Sequence, residues 1–390
     1  MSRPGRGYDH VVVGLGALGS AAAYALARRG ARVLGLEQFA LGHHRGASHD
    51  HSRIIRRSYH TPGYVRLAAE AYQAWRELER DSGERLVTVT GGLDLWPAGA
   101  AIPSGDYRKS LDACGVAYEW LDAREVMRRW PPFHLDPDLE GCYQADGGIV
   151  PAARGTRVMQ RLAAGHGATL LDETPVTGIR ETATHVEVAA GDAAWHCERV
   201  LLCADAWTNE LLAHVGARLP LEVTREQVTY FRPADLSGFA AGRFPVWIWM
   251  DDPSFYGFPV YGEAAVKAAQ DVGGARVTAR TRTFEPDPAA LARLEGFLAR
   301  RLPGALAPDP VTRTCLYTLT PDRDFVLGPL PGRERVLVAL GAAHGFKFAP
   351  LLGRILAELA TDGSTGSDVA AFSPARPILA LDEPPVSYLV

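Results

Sequence analysis

The segment Gly14-Leu15-Gly16-Ala17-Leu18-Gly19 has the glycine spacing of a loop that cradles a pyrophosphate. Gly14 permits the tight turn, Gly16 lets the backbone approach the phosphates, and Gly19 lets a helix lie close to a strand. A helix starting here aims its first N–H groups, including those of Ala17 and Leu18, and the positive end of its dipole at the anion. Further along, Glu37 offers a carboxylate to ribose hydroxyls, with Gln38 beside it. An acid at this position argues against a 2′-phosphate, which prefers an arginine. At this point NAD and FAD fit equally well. Five cysteines (Cys114, Cys142, Cys197, Cys203 and Cys315) make an odd set without metal-ligand or redox spacing. Neither a metal site nor a disulfide framework is expected, and one thiol is free for a special task.

Holding such a loop takes a strand before it and a helix after it. Tyr8–Val13 reads as a short buried strand, Ser20–Arg29 as a helix, and Ala31–Leu36 as a second strand ending at Glu37. At 390 residues the chain exceeds the size of one hydrophobic core, so two domains are expected. With 47% hydrophobic and 22% charged residues it has the composition of a folded globular protein. A formal net charge of −4 leaves no basic field for nucleic acid, and none is expected as a partner. Residues 1–7 carry Arg3 and Arg6 and lead into Val11–Val13, soon broken by glycine, which is not the pattern of a secretory leader. No apolar run reaches the roughly 18 residues of a membrane span. A cytoplasmic protein away from membranes is the expectation.

The stretch after the second strand separates the two cofactors. It reads Gly46-Ala47-Ser48-His49-Asp50-His51-Ser52-Arg53-Ile54-Ile55-Arg56 and is joined by Tyr256-Gly257-Phe258-Pro259, Lys267, Cys315-Leu316-Tyr317 and His344-Gly345-Phe346-Lys347-Phe348. In order and spacing these resemble the monomeric sarcosine oxidase and N-methyltryptophan oxidase family, whose first stretch runs roughly Gly-Ser-His-His-Gly-Asp-Thr-Arg-Ile-Ile-Arg. The resemblance covers nearly the whole chain. It implies an FAD-dependent amine oxidase acting on a small amino or imino acid and O2, as a monomer. Cys315 matches the cysteine that carries FAD through a thioether, a link that raises the cofactor's reduction potential. Arg56 and Lys347 match the two cations that hold the substrate carboxylate, one as a bidentate fork and the other as a compact charge. Arg53 and His49 match groups packed beside the isoalloxazine, and Lys267 matches the lysine at which oxygen is activated. Ser48, Ile54, Gly345 and Phe346 fall in the same flavin-facing segments, and Val176 matches a backbone contact to adenine. Tyr256 and Tyr317 match aromatic residues of the substrate cavity, and Trp247, two residues from Trp249 on one strand face, is expected to border it.

One departure concerns the substrate. Where family members show Lys-x-x-x-His, this chain reads Lys267-Ala268-Ala269-Gln270-Asp271, so Asp271 adds an acceptor to the pocket. That points away from sarcosine itself and towards other N-methyl or cyclic imino acids. The implied fold is α/β in two domains: a discontinuous Rossmann-like FAD-binding domain (1–86, 147–213 and 315–390) and a mixed β-sheet substrate domain (87–146 and 214–314). Helices are expected at Ala152–Gly165 and Leu351–Leu359, and strands at Ala168–Leu171, Pro175–Ile179 and Arg199–Ala204. The dipole of the helix after Lys347 would favour negative charge on the reduced flavin. Two rivals remain at this stage: an FAD dehydrogenase with a non-oxygen acceptor, and a nucleotide-binding protein that has lost turnover.

Overall fold

The computed structural model describes residues 7–387. The leader-peptide expectation for the first residues falls mostly on 1–6, outside the described residues. Strand β1 (Gly7–Val13) buries Val11, Val12 and Val13 and enters a turn at Gly14 whose φ of 89° suits glycine. Helix α1 (Ala17–Arg28) starts three residues before the expected Ser20, because the glycine loop is itself the first turn. Its small residues have a packing purpose. A Cβ on Gly353, in the helix Ala349–Thr361, would lie 2.4 Å from the backbone carbon of Ala21, so the two helices meet at backbone distance. Strand β2 (Val33–Leu36) then lies parallel to β1.

The first sheet runs Gly178–Glu181, Val186–Ala190, Ala193–Leu202, β1, β2 and Thr169–Leu171, with Arg333–Leu340 also against Ala193–Leu202. Its central strands are parallel and Val/Leu-rich because helices cover the sheet. Gly178–Glu181 starts later than the expected strand, since Pro175 lacks an N–H for a ladder. The second, nine-stranded sheet comprises Ala275–Val277, Glu222–Phe231, Val266–Asp271, Ser254–Phe258, Val246–Trp249, Gly92–Trp96, Glu140–Gln144 and Glu119–Asp122 in that order, with Val311–Leu319 also on Glu222–Phe231. A small sheet of Arg53–Ile55, Gly148–Val150 and Thr88–Val89 stitches the two parts together near the expected joints at 86/87 and 146/147.

The boundary at 315 needs correction. Strand Val311–Leu319 runs through Cys315 and pairs with Glu222–Phe231 from Val311 to Leu319, so the chain rejoins the first sheet only at Val326. Cys315 therefore projects from the second sheet. Among the described residues no helix is long and apolar enough to cross a membrane.

Candidate active site

A cavity of about 1040 Å³ lies between the two sheets. At one end the glycine loop forms a backbone cradle. A Cβ on Gly14 would lie 2.6 Å from the Cys203 carbonyl oxygen, and one on Gly19 would lie 1.8 Å from the Gly14 carbonyl oxygen. Neither position tolerates a side chain. Ser48 crosses to the loop, its Oγ accepting from the Ala17 N–H at 2.9 Å. Glu37 is buried at the end of β2, accepting from the Leu15 N–H at 2.8 Å and the Phe39 N–H at 3.1 Å. Its carboxylate thus fixes the loop as well as facing the cavity. Gln38 and Val176 line the wall here, together with Gly14, Gly16, Ala17 and Leu18. These donors and this clearance fit a dinucleotide.

The far end is built by the second sheet and by the turn before helix Ala349–Thr361. Cys315 and Tyr317, two apart on one strand, face the cavity together. The Cys315 thiol is free, and burial pushes it up to about 11 despite the opposing pull of Arg53. Arg53 donates to the carbonyls of Ser52 at 2.7 Å, Ala47 at 2.8 Å and His49 at 3.1 Å, locking the loop that lines one wall with His49 and Ile54. Burial and the charge of Arg53 push the His49 imidazole down to about 3, so it is neutral, and its Nε2 has no partner.

Arg56 reaches the wall with Nη1 3.1 Å from Asp94, a carboxylate that also accepts from the Ser58 hydroxyl. Burial works against its charge, yet Asp94 keeps the guanidinium firmly protonated. Lys347 lies in the turn Gly345–Phe348, whose geometry is fixed by Trp75 donating to the Lys347 carbonyl at 2.7 Å. Burial, then the nearby Arg56, push the Lys347 ammonium down to about 7. Gly345, Phe346 and Tyr256 share this wall, as does Asp271, whose carboxylate is 3.5 Å from Arg323. Burial keeps Tyr256 and Tyr317 as neutral phenols.

Two expected positions are corrected. Trp247 is only 1% exposed and packs its indole between Phe133 and Phe297 in the core, off the cavity wall. The opposite face of its strand, with Ile248, is the one that lines the cavity. Lys267 also stands behind the wall, 4.6 Å from the ring of Phe258, which does line it. Its Nζ donates to Asp50 at 2.6 Å and to the carbonyl and hydroxyl of Ser52, both at 3.1 Å. Burial pushes Lys267 down to about 8, with Asp50 opposing. For Asp50 burial opposes ionisation, but Lys267 and Arg53 hold its carboxyl well below the usual range. Asp50 has φ 82° and occupies the glycine position of the resembling pattern.

Three wall residues were missed by sequence reasoning. Arg323 is buried and Met250 is hidden beside Ile248. Asp205 follows the strand Ala193–Leu202 at φ 47°, its Oδ2 without a partner and its carboxyl pushed up to about 6 by burial, with Thr318 opposing. An acid directly after an apolar strand that ends in a turn was the available signal.

A parallel sheet presenting a glycine cradle, capped by a second sheet across a deep cavity, defines a dinucleotide-dependent oxidoreductase. The chain belongs to the FAD dependent oxidoreductase (DAO) family, whose model matches residues 9–359. It is 33% identical over 377 residues to a monomeric sarcosine oxidase of Streptomyces avermitilis, covering 95% of this chain and 97% of that one. Peroxisomal sarcosine oxidase of Homo sapiens is 31% identical over 381 residues, covering 95% and 96%. Among solved structures, the open form of NikD, described as an unusual amino acid oxidase essential for nikkomycin biosynthesis, superposes with a TM-score of 0.85 at 32% identity, covering 97% and 100%.

Proposed function

We propose that this enzyme oxidises the C–N bond of a secondary-amine amino acid, N-methylated or cyclic, to an imine, with O2 reduced to H2O2. FAD, when bound, takes a hydride equivalent from the carbon beside nitrogen and passes the electrons on. The observation that carries the reading is the meeting of Arg56 and Lys347 on the wall shared with Cys315, Tyr317 and Tyr256. Arg56 is already balanced by Asp94, whereas Lys347 makes no salt bridge among the described residues. A substrate carboxylate supplies the missing counter-charge. Tyr256 and Tyr317 then hold the carbon skeleton, and the closed setting keeps the bound geometry close to that of reaction. Cys315 is the residue that would hold the flavin by a thioether, and Arg53 fixes the loop along its edge. The names of the relatives support a CH–NH donor. The same reading puts a monomeric enzyme in the cytoplasm.

The test has two arms. Acid precipitation of wild-type protein should give a yellow pellet, and Cys315→Ser should release the colour. Anaerobic mixing with a panel of N-methyl and cyclic imino acids should bleach the flavin, and no bleaching by any of them would overturn the reading.

A second reading, amine oxidation with electrons passed to a carrier protein or quinone, is favoured by one observation. An oxygen-directed role calls for a cation facing the flavin. Lys267 is instead paired with Asp50 behind the wall. Yellow colour returning within seconds of admitting air to reduced enzyme supports the oxidase. Colour absent after minutes in air, and restored by an artificial acceptor, supports the second reading.

A further inference from the structure

Away from the cavity, the antiparallel end of the first sheet places three metal-binding side chains together. Glu187 pairs in register with His196 on the next strand and with Arg180 on the preceding one. His185, two residues before Glu187, points to the same face by the period of a strand. One ligand atom from each of His185, Glu187 and His196 lies within 4.8 Å of the others. The imidazole centroids are 4.8 Å apart, and His185 Nε2 is 3.4 Å from Glu187 Oε1. Metal bonds of about 2.0–2.2 Å in a tetrahedron put ligand atoms roughly 3.3 Å apart, so one contact is already at that spacing and the others need rotamer adjustments of about an ångström.

The surrounding groups hold the His185 ring in place. The Thr182 and Thr184 hydroxyl oxygens lie 3.1 and 3.0 Å from His185 Nδ1, and Thr182 is itself held by donating to the His185 carbonyl and accepting from the His185 N–H. Nε2 faces Glu187, and a metal there would take the tautomer whose proton is on Nδ1, donated to a threonine oxygen. Such an outer hydrogen bond is what orients metal-binding imidazoles. Glu187 is likewise fixed: Oε2 takes the guanidinium of Arg180, leaving Oε1 towards His185. All three side chains are partly exposed, so a hydrated ion can reach them, and none lines the cavity.

We propose that His185, Glu187 and His196 form a site for a divalent transition metal of the zinc class, with water in the fourth position, clamping this end of the sheet independently of the flavin. Two nitrogens and one carboxylate oxygen form a donor set suited to Zn2+. Flavin-loaded protein freed of metal by chelator would be titrated with Co2+ and then Zn2+. The expected result is one Co2+ per chain with the visible d–d absorption of a tetrahedral ion at wavelengths beyond the flavin bands, displaced by Zn2+, and a thermal midpoint raised by about 2–4 °C at saturating Zn2+. His185→Gln and His196→Gln should each weaken binding by about tenfold or more. Arg180→Gln should tighten it, because Glu187 loses a competitor. An unchanged flavin spectrum shows that each variant is folded. The proposal is overturned by a Co2+ spectrum of octahedral type, by absence of binding below millimolar metal, or by binding that survives in the His185→Gln/His196→Gln double variant.

Discussion

Asp50→Asn isolates the ion pair behind the cavity wall, since asparagine keeps the side-chain size and tolerates the positive φ of this position. Both partners are buried, with side-chain exposures of 3% for Lys267 and 2% for Asp50. Without the carboxylate, Lys267 loses the main influence holding up a pKa already down at about 8, so it discharges at neutral pH. Discharging a lysine with an ordinary pKa of about 10.4 at roughly pH 7.5 costs about 4 kcal/mol, at about 1.4 kcal/mol per unit. That figure is a ceiling, because a neutral amine still bonds to Ser52. Broken buried pairs typically cost about 3–5 kcal/mol, so an effect of about 3 kcal/mol is expected. Lys267→Met should cost less, since Asp50 keeps Tyr230 at 2.5 Å and Arg313 at 3.4 Å. The double variant should recover much of the loss, because removing both charges also removes both desolvation penalties. The assay is urea unfolding of flavin-loaded protein, comparing midpoints at constant slope. A cost below about 1 kcal/mol for Asp50→Asn, or single effects that add within about 0.5 kcal/mol in the double variant, would refute the buried pair.

Binding of a non-oxidisable cyclic carboxylate, read from its perturbation of the flavin spectrum, should weaken as pH rises through about 7, because the charged form of Lys347 exists below its depressed pKa; Lys347→Arg should flatten that dependence. Asp205 has a folded pKa raised from 3.8 to about 6, so its ionisation costs stability increasingly between these values and fully above the upper one. Asp205→Asn should therefore stabilise the flavin-free protein at neutral pH by on the order of 1 kcal/mol, with the gain fading as pH falls towards 4 in melting curves. Trp247→Ala should cost about 3–5 kcal/mol of stability while leaving KM of the surviving folded enzyme unchanged, whereas Tyr317→Phe should do the reverse; a changed KM for Trp247→Ala would contradict its place in the core.

What could be read in advance was local. The strand, glycine loop and helix from Gly7 to Arg28 follow from short-range pattern, because the order of strand, glycine spacing and helix is complete within about 20 residues, although Gly14 and Gly16 also answer to the distant Cys203 and Ser48. Cys315 and Tyr317 were named from the family resemblance alone, and the two-residue period of their strand puts both on the cavity face. The same period put Trp247 and Trp249 on a shared face, and they do share one. It could not say which layer that face meets. The answer depends on helix Pro288–Arg301, whose Phe297 lies against both indoles. Charge pairing was hidden for a related reason: Lys267 and Asp50 are 217 residues apart, and Arg56 and Asp94 are 38 apart. Neither distance leaves a trace in composition or periodicity.

Those hidden pairs change how the cations at the carboxylate end are understood. Four charged groups there are matched, Arg56 with Asp94 and Arg323 with Asp271, so a bound carboxylate gains little by displacing either acid. Lys347 is different, because burial and Arg56 together make its proton easy to lose near neutrality. Under the proposed function the substrate arrives as a zwitterion, bringing both the anion that restores the ammonium and a proton on its own nitrogen. Moving that proton to Lys347 Nζ leaves a neutral amine, the form from which a hydride can depart, and a charged lysine beside the carboxylate. Binding then completes the charge balance of the wall and prepares the nitrogen in one event. The depressed pKa of Lys347 thereby becomes a property suited to turnover and not merely a cost of its burial.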